Sequence, residues 1–64
     1  MNTAADLWRW ADLKWLLAAH GLWVDLPRVQ RDRAYALECI AFGLRSACAP
    51  ARECGRQLRA ALDG

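Results

Sequence analysis

Residues 50–62, Pro-Ala-Arg-Glu-Cys-Gly-Arg-Gln-Leu-Arg-Ala-Ala-Leu, carry the clearest structural pattern in this chain. At about 100° per residue, the apolar side chains fall on one side of a helix and the arginines on the other. The apolar stripe contains Ala51, Cys54, Leu58, Ala61 and Leu62. The polar stripe contains Arg52, Arg56, Arg59 and Asp63. Because such a pattern covers a core with one face and meets water with the other, the sequence predicts a helix over 50–62.

A first long helix is predicted over residues 3–20. Thr3 is a suitable N-cap, and Asp6 completes a variant of the capping box. Gly21 follows, where a helix commonly ends in the left-handed conformation. Trp23 lies in the connection over 21–26 and is expected to pack back on the helices.

A second helix is predicted over residues 26–48. Asp25 is expected to cap it, and Pro27 falls in its first turn, where a missing N–H group has no consequence. Gly43 either permits a close helix crossing or marks a weak point, since glycine inside a helix costs about 1 kcal/mol relative to alanine. Pro50 separates this helix from the third.

The chain is short and unusually apolar. Its 64 residues suffice for one domain, yet 56% of them are hydrophobic, against roughly 45–50% in typical domains. A core of this size rarely provides more than about 3–5 kcal/mol of folding stability unless a disulfide, a metal ion or a partner subunit adds to it. The sequence therefore predicts a single all-α domain of three helices, completed by homodimerisation with two-fold symmetry.

Four tryptophans dominate the candidate binding residues. The side of the first helix that is expected to face the core contains Leu7, Trp8, Ala11, Trp15 and Ala18. Trp10 lies roughly 160° from Trp8 around the helix, beside Leu13 and Leu17. We expect these three residues to form an exposed patch that binds a partner, because large exposed apolar side chains are typical of interaction sites.

The predicted partner or dimer interface comprises Trp8, Trp10, Leu13, Leu17, Trp23, Tyr35 and Phe42. Tryptophan is enriched at the energetic centres of protein interfaces. The sequence thus favours a non-enzymatic protein–protein interaction module. We expect a small regulator or inhibitor, of the kind that phages and other mobile elements encode, which docks on a larger protein.

The arginines suggest an alternative. The net charge is −1 over residues 1–27 and +3 over residues 28–64. Rows of arginine can follow a phosphate backbone, and the residues that could contact an anion or nucleic acid are Arg28, Arg31, Arg52, Arg56 and Arg59. The alternative is a small DNA-binding transcriptional regulator. It is less favoured because, in a helix-turn-helix alignment over 16–36, Pro27 would interrupt the recognition helix.

The sequence predicts neither catalysis nor a cofactor. Cys39, Cys48 and Cys54 lie nine and six residues apart, whereas zinc ligands normally pair two to four residues apart. We expect three reduced thiols that pack as small apolar groups. His20 is the only histidine, and no motif joins it to a nucleophile and an orienting acid.

No membrane segment or targeting signal is predicted. The longest uncharged run, residues 15–24, has ten residues, whereas a membrane-spanning helix needs about 20. The N-terminus lacks the basic region of a secretory signal. We therefore expect a cytoplasmic protein of a bacterium or phage.

Overall fold

Helices make up most of the structure. The computed structural model describes the backbone of residues 4–63 and the side chains of residues 7–63. Helix α1 spans Ala4–Ala18, α2 spans Leu26–Arg31, α3 spans Arg33–Arg45 and α4 spans Ala49–Asp63. No strand occurs between residues 4 and 63. The predicted small all-α domain is confirmed.

The end of α1 follows the predicted signal. Gly21 has a φ of 84°, a conformation that glycine adopts without steric cost. The N–H group of Leu22 donates to the carbonyl of Leu17 at 3.0 Å, and that of Gly21 donates to Ala18 at 2.9 Å. These two bonds satisfy carbonyls at the helix end as a Schellman motif does. The predicted caps Thr3 and Asp6 lie outside the described side chains.

The predicted second helix is divided at Asp32, so the prediction of one helix over 26–48 is wrong. Asp32 has an extended backbone, with φ −131° and ψ 99°, and its carboxylate accepts a hydrogen bond from the N–H group of Tyr35 at 3.1 Å. It ends α2 and caps α3, because an aspartate at this position satisfies a backbone donor that a continuous helix would bond internally. The start at 26 is confirmed, since the Asp25 carboxylate accepts from the Arg28 N–H group at 3.2 Å.

The C-terminal half agrees more closely with prediction. Helix α3 ends at Arg45, three residues earlier than expected, with Ser46 as its cap. Helix α4 begins one residue before Pro50 and includes the whole predicted segment. Its apolar stripe faces inward, with Ala51 and Leu58 fully buried.

Helix α4 is central to the packing. It contacts both α1 and α3, which contact each other much less. The buried hydrophobic residues are Trp10, Leu13, Leu17, Val24, Val29, Ala36, Cys39, Ile40, Ala51 and Leu58. The core therefore draws on every helix and on the connection after α1.

The faces of α1 are the reverse of those predicted. Trp10, Leu13 and Leu17 are 3%, 0% and 3% exposed, whereas Trp8 and Trp15 are 72% and 65% exposed. Arg9 lies at the margin of the buried face, where its Nε donates to Gln57 Oε1 on α4 at 3.0 Å. A long arginine side chain can lie along an apolar surface and keep its charged end in water, so Arg9 is compatible with a place beside the buried residues of α1.

Candidate protein-binding surfaces

The outer face of α1 presents two tryptophans to solvent. Trp8 and Trp15 lie about 20° apart around the helix and roughly 10.5 Å apart along it. Ala11 and Asp12 fall between them, the first half-buried and the second exposed. We call these four residues the tryptophan face. The surface between the two indoles is a shallow depression, because alanine and aspartate side chains are much smaller than tryptophan.

Charged groups beside the tryptophan face balance one another. The Nζ atom of Lys14 lies 5.7 Å from the centroid of the Trp15 ring, within the range of a cation–π contact. Asp12 supplies a negative charge on the same helix. Among the described side chains, the two indoles are thus accompanied by one charge of each sign.

Trp23 is a third exposed tryptophan, outside α1. It is 70% exposed, while Val24 beside it is 3% exposed and Leu22 is half-buried. The connection thus turns alternate side chains inward and outward. The prediction that Trp23 packs back on the helices is wrong, because its two apolar neighbours fill the inner positions instead.

The other predicted interface residues differ in exposure. Phe42 is 44% exposed, with the Arg45 guanidinium 5.1 Å from its ring. It borders a groove of about 420 Å³ between the end of α1 and the end of α3, which His20 and Leu22 also line. Tyr35 is half-buried, and its hydroxyl oxygen accepts a hydrogen bond from the Asp25 N–H group at 3.0 Å. Tyr35 therefore links α3 to the start of α2.

Trp10, Leu13 and Leu17 do not form the predicted exposed patch. Leu13 and Leu17 pack in the shared core. Trp10 closes the space between α1 and α2, beside Leu26 and Val29. These three residues therefore stabilise the fold as part of the core. Within the described residues, the exposed apolar side of α1 is the tryptophan face.

The predicted arginine row of α4 lies on its outer side. Arg52, Arg56 and Arg59 are all exposed. Arg56 pairs with Glu53, and this contact holds the pKa of the Glu53 carboxyl below its ordinary value. Arg59 Nε lies 3.9 Å from an Asp63 oxygen. Exposed pairs of this kind contribute little to stability, so the guanidinium groups of Arg56 and Arg59 are accessible to a further anion. Arg52 Nη1 donates to the Ser46 carbonyl at 2.9 Å.

The predicted basic residues of α2 lie elsewhere. Arg28 lies 4.3 Å from the centroid of the Tyr35 ring, and its Nε lies 3.5 Å from an Asp32 oxygen. Arg31 is exposed at the end of α2. The structure therefore divides the candidate anion contacts between α2 and α4.

A groove runs between α3 and α4. One part, of about 360 Å³, is lined by Arg33, Leu37, Ile40, Ala41, Leu44, Arg59 and Asp63. The next part, of about 420 Å³, is lined by Leu44, Ala49, Arg52, Glu53 and Arg56. Leu44 belongs to both parts, so we treat them as one α3–α4 groove. The sequence pattern does not reveal this groove, because it does not distinguish Leu37, which is 40% exposed, from its buried apolar neighbours Ala36 and Ile40.

The three thiols are free. Burial raises the pKa of Cys39, and it also raises that of Cys54, with a smaller contribution from the nearby Asp12 carboxylate. A raised pKa disfavours the reactive thiolate. In the described part of the chain, no three His, Cys, Asp or Glu side chains are grouped to hold a metal ion.

Between residues 4 and 63, no helix has both the length and the apolar character to cross a membrane. Comparison of the chain with protein-family models, with curated protein sequences and with solved structures finds no match.

Proposed function

We propose that this chain is a non-enzymatic protein-binding module that docks through the tryptophan face of α1. The observation that carries the proposal is the 72% and 65% exposure of Trp8 and Trp15 on one side of one helix. Single apolar side chains are common on protein surfaces. Two indoles two turns apart on the same face form a continuous apolar area, which is typical of a binding site.

The energetics favour docking at this face. A buried aromatic side chain removes roughly 150–250 Å² from water, and each square ångström contributes about 25 cal/mol. Covering the exposed parts of Trp8 and Trp15 would thus contribute roughly 5–9 kcal/mol before the costs of association. Those costs are about 4–15 kcal/mol, so the two indoles would be the anchors of an interface to which other contacts also contribute.

One proposed partner is a second copy of the chain. Trp8 and Trp15 are equidistant from the point between Ala11 and Asp12. Two antiparallel α1 helices related by a two-fold axis at that point would place Trp8 against Trp15 of the second copy. A stable interface commonly covers about 800 Å² per partner, about a fifth of the 4158 Å² surface of this chain. Surface beyond α1 would have to join such a dimer.

The other proposed partner is a larger protein. A chain with one anchoring helix face can regulate or inhibit by covering a surface that another molecule needs. Such an activity requires no catalytic group on the small chain. Such a chain would compete with that other molecule for the surface of the larger protein. Most of its affinity would come from the two indoles.

The experiment compares the parent chain with Trp8→Ala/Trp15→Ala and with Trp23→Ala. Trp23 is the matched control because it is 70% exposed but lies outside α1. Sedimentation equilibrium measures self-association, and affinity capture with quantitative mass spectrometry measures proteins retained from host extract. We expect the double variant to fold normally but to lose self-association and the captured protein, while Trp23→Ala retains both.

Two outcomes would overturn the proposal. One is a double variant that associates and captures like the parent. The other is loss of binding with Trp23→Ala alone, which would assign the docking surface to the connection after α1.

A further inference from the structure

We infer that the α3–α4 groove binds an acidic amphipathic helix of a partner protein. This second docking surface does not depend on the tryptophan face. The α3–α4 groove has an apolar floor, a basic wall and the length of a short helix.

The floor of the groove is an apolar stripe on α3. Leu37, Ala41 and Leu44 recur at intervals of four and three residues, so they lie along one side of the helix. Leu37 is 40% exposed, and the other two are half-buried. Apolar anchors at this spacing match the interdigitating side chains of an amphipathic helix that lies in a groove.

The wall of the groove is basic. Arg52, Arg56 and Arg59 line it from α4, and Arg33 lines it from the start of α3. Two carboxylates, Glu53 and Asp63, also lie in the lining, so the four arginines exceed the acids by two. Arginine binds carboxylates through paired N–H donors. A partner with aspartate or glutamate beside its apolar stripe would complement this wall.

The length of the groove along α4 suits a short helix. Between Arg52 and Asp63, which both line the groove, the helix axis rises roughly 16 Å over eleven residue steps. A partner helix of about three turns would span this distance. The exposed pairs Glu53–Arg56 and Arg59–Asp63 can open to the incoming carboxylates, because such pairs are weak in water.

The same features disfavour nucleic acid as the occupant. A phosphate backbone would pass over Leu37 and Leu44, which offer it no hydrogen bond. It would also meet the Glu53 and Asp63 carboxylates on the basic wall. An excess of two positive charges is small for a phosphate-binding surface, where several cations neutralise several phosphates.

The experiment uses a fluorescent synthetic 14-residue helical peptide that has leucine at positions i, i+4 and i+7 and glutamate on both flanks. Its controls are the same peptide with lysine in place of glutamate and a 20-base-pair DNA duplex. Fluorescence polarisation gives the affinity at low and high salt, and amide chemical shifts locate the site. The tested variants are Leu37→Ser and Arg56→Glu/Arg59→Glu. Arg31→Glu is the matched control, since Arg31 is exposed but does not line the groove.

We expect the acidic peptide to shift resonances of Leu37, Leu44 and Arg59 and not those of the tryptophan face. Its Kd should rise at least tenfold in Leu37→Ser and in the double arginine variant, and stay within twofold in Arg31→Glu. The lysine peptide should not bind. Trp8→Ala/Trp15→Ala should keep peptide binding, which separates this inference from the proposed function.

Three results would overturn the inference. One is no binding of the acidic peptide at millimolar concentration. Another is equal binding to the parent chain and Leu37→Ser. The third is tighter, steeply salt-dependent binding of the DNA duplex that the double arginine variant loses and Leu37→Ser retains, which would assign the arginines to nucleic acid.

Discussion

Gly43 of α3 and Gly55 of α4 face each other where the two helices cross. A Cβ atom on Gly43 would lie 3.7 Å from the Cα atom of Gly55 and 3.2 Å from the carbonyl oxygen of Ala51. It would also lie 2.9 Å from Cδ1 of Leu13, which enters the crossing from α1. The absence of two side chains thus lets three helices meet around one leucine. Of the two roles considered for Gly43, the close crossing is the one observed.

Replacement of Gly55 by alanine should destabilise the fold. The new Cβ would lie 3.2 Å from the Ile40 carbonyl oxygen and 3.2 Å from the Leu44 backbone nitrogen, and backbone atoms cannot move aside cheaply. Overpacking costs about 1–3 kcal/mol, and alanine gains about 1 kcal/mol as the better helix former. The expected net loss of stability is therefore up to roughly 2 kcal/mol. Urea unfolding of the parent and of Gly55→Ala measures the difference. A more stable variant would show that the crossing has room for a methyl group.

Trp10→Ala should unfold most of the population, whereas Trp15→Ala should not. Trp10 is 3% exposed and Trp15 is 65% exposed, so only the first substitution leaves a cavity. Truncation of a buried tryptophan costs about 3–5 kcal/mol, comparable with the whole stability of a domain this small. Thermal melts followed by circular dichroism give the melting temperatures of the two variants. A normal melt for Trp10→Ala would be incompatible with its place between α1 and α2.

Asp32→Ala should lower the melting temperature, and Asp32→Asn should largely preserve it at neutral pH. Asparagine also caps helices well, whereas alanine cannot accept the Tyr35 N–H hydrogen bond. That hydrogen bond is the main reason that the pKa of Asp32 lies below its ordinary value of 3.8. The ionised carboxylate therefore stabilises the fold. Its contribution is complete above pH 3.8 and is lost as the pH falls through the lower pKa of the folded chain.

The pH dependence of Asp32 can be isolated by comparing melts of the parent and Asp32→Asn at pH 7 and at pH 2–3. The pKa of Glu53 is also lowered, so both chains should lose stability in acid. The parent should lose more, because it alone carries the Asp32 carboxylate. Equal losses would mean that Asp32 does not titrate differently in the folded and unfolded chains.

Cys39 should be the slowest of the three thiols to react. It is 4% exposed, and burial raises its pKa, so little thiolate is accessible at pH 7. Titration with an aromatic disulfide reagent, followed by peptide mass mapping, would show modification at Cys48 and Cys54 before Cys39. In denaturant all three rates should become similar. Early modification of Cys39 in the folded chain would contradict its burial between the helices.

Residues 50–62 show how much local pattern can specify. One face of α4 was predicted to be buried and the other exposed, and Ala51, Leu58 and the arginine row lie as expected. The turn at Gly21 and the Asp25 cap were also predictable, because each depends on atoms within five residues along the chain. Information of this kind is contained in spacing and residue type.

The sequence around Asp32 is compatible with two local structures, a continuous helix and a break between two helices. An aspartate inside a helical pattern can remain on the helix surface or turn outward and cap a new helix. The order of apolar residues is compatible with both. In the fold, Val29 before the break and Ala36 after it are both buried. Residues seven apart would share one face of a continuous helix as well, so the apolar pattern does not reveal the bend.

The sequence by itself determined that α1 has two opposite apolar sides, but only the tertiary structure decided which one is buried. Helical periodicity places Trp8 and Trp15 on one side and Leu13 on the other without ranking them. The narrow crossing at Gly43 and Gly55 accepts the Leu13 side chain. Core packing depends on the shape of side chains as well as on their hydrophobicity. The side of α1 with Trp10, Leu13 and Leu17 is buried, and the side with Trp8 and Trp15 is exposed.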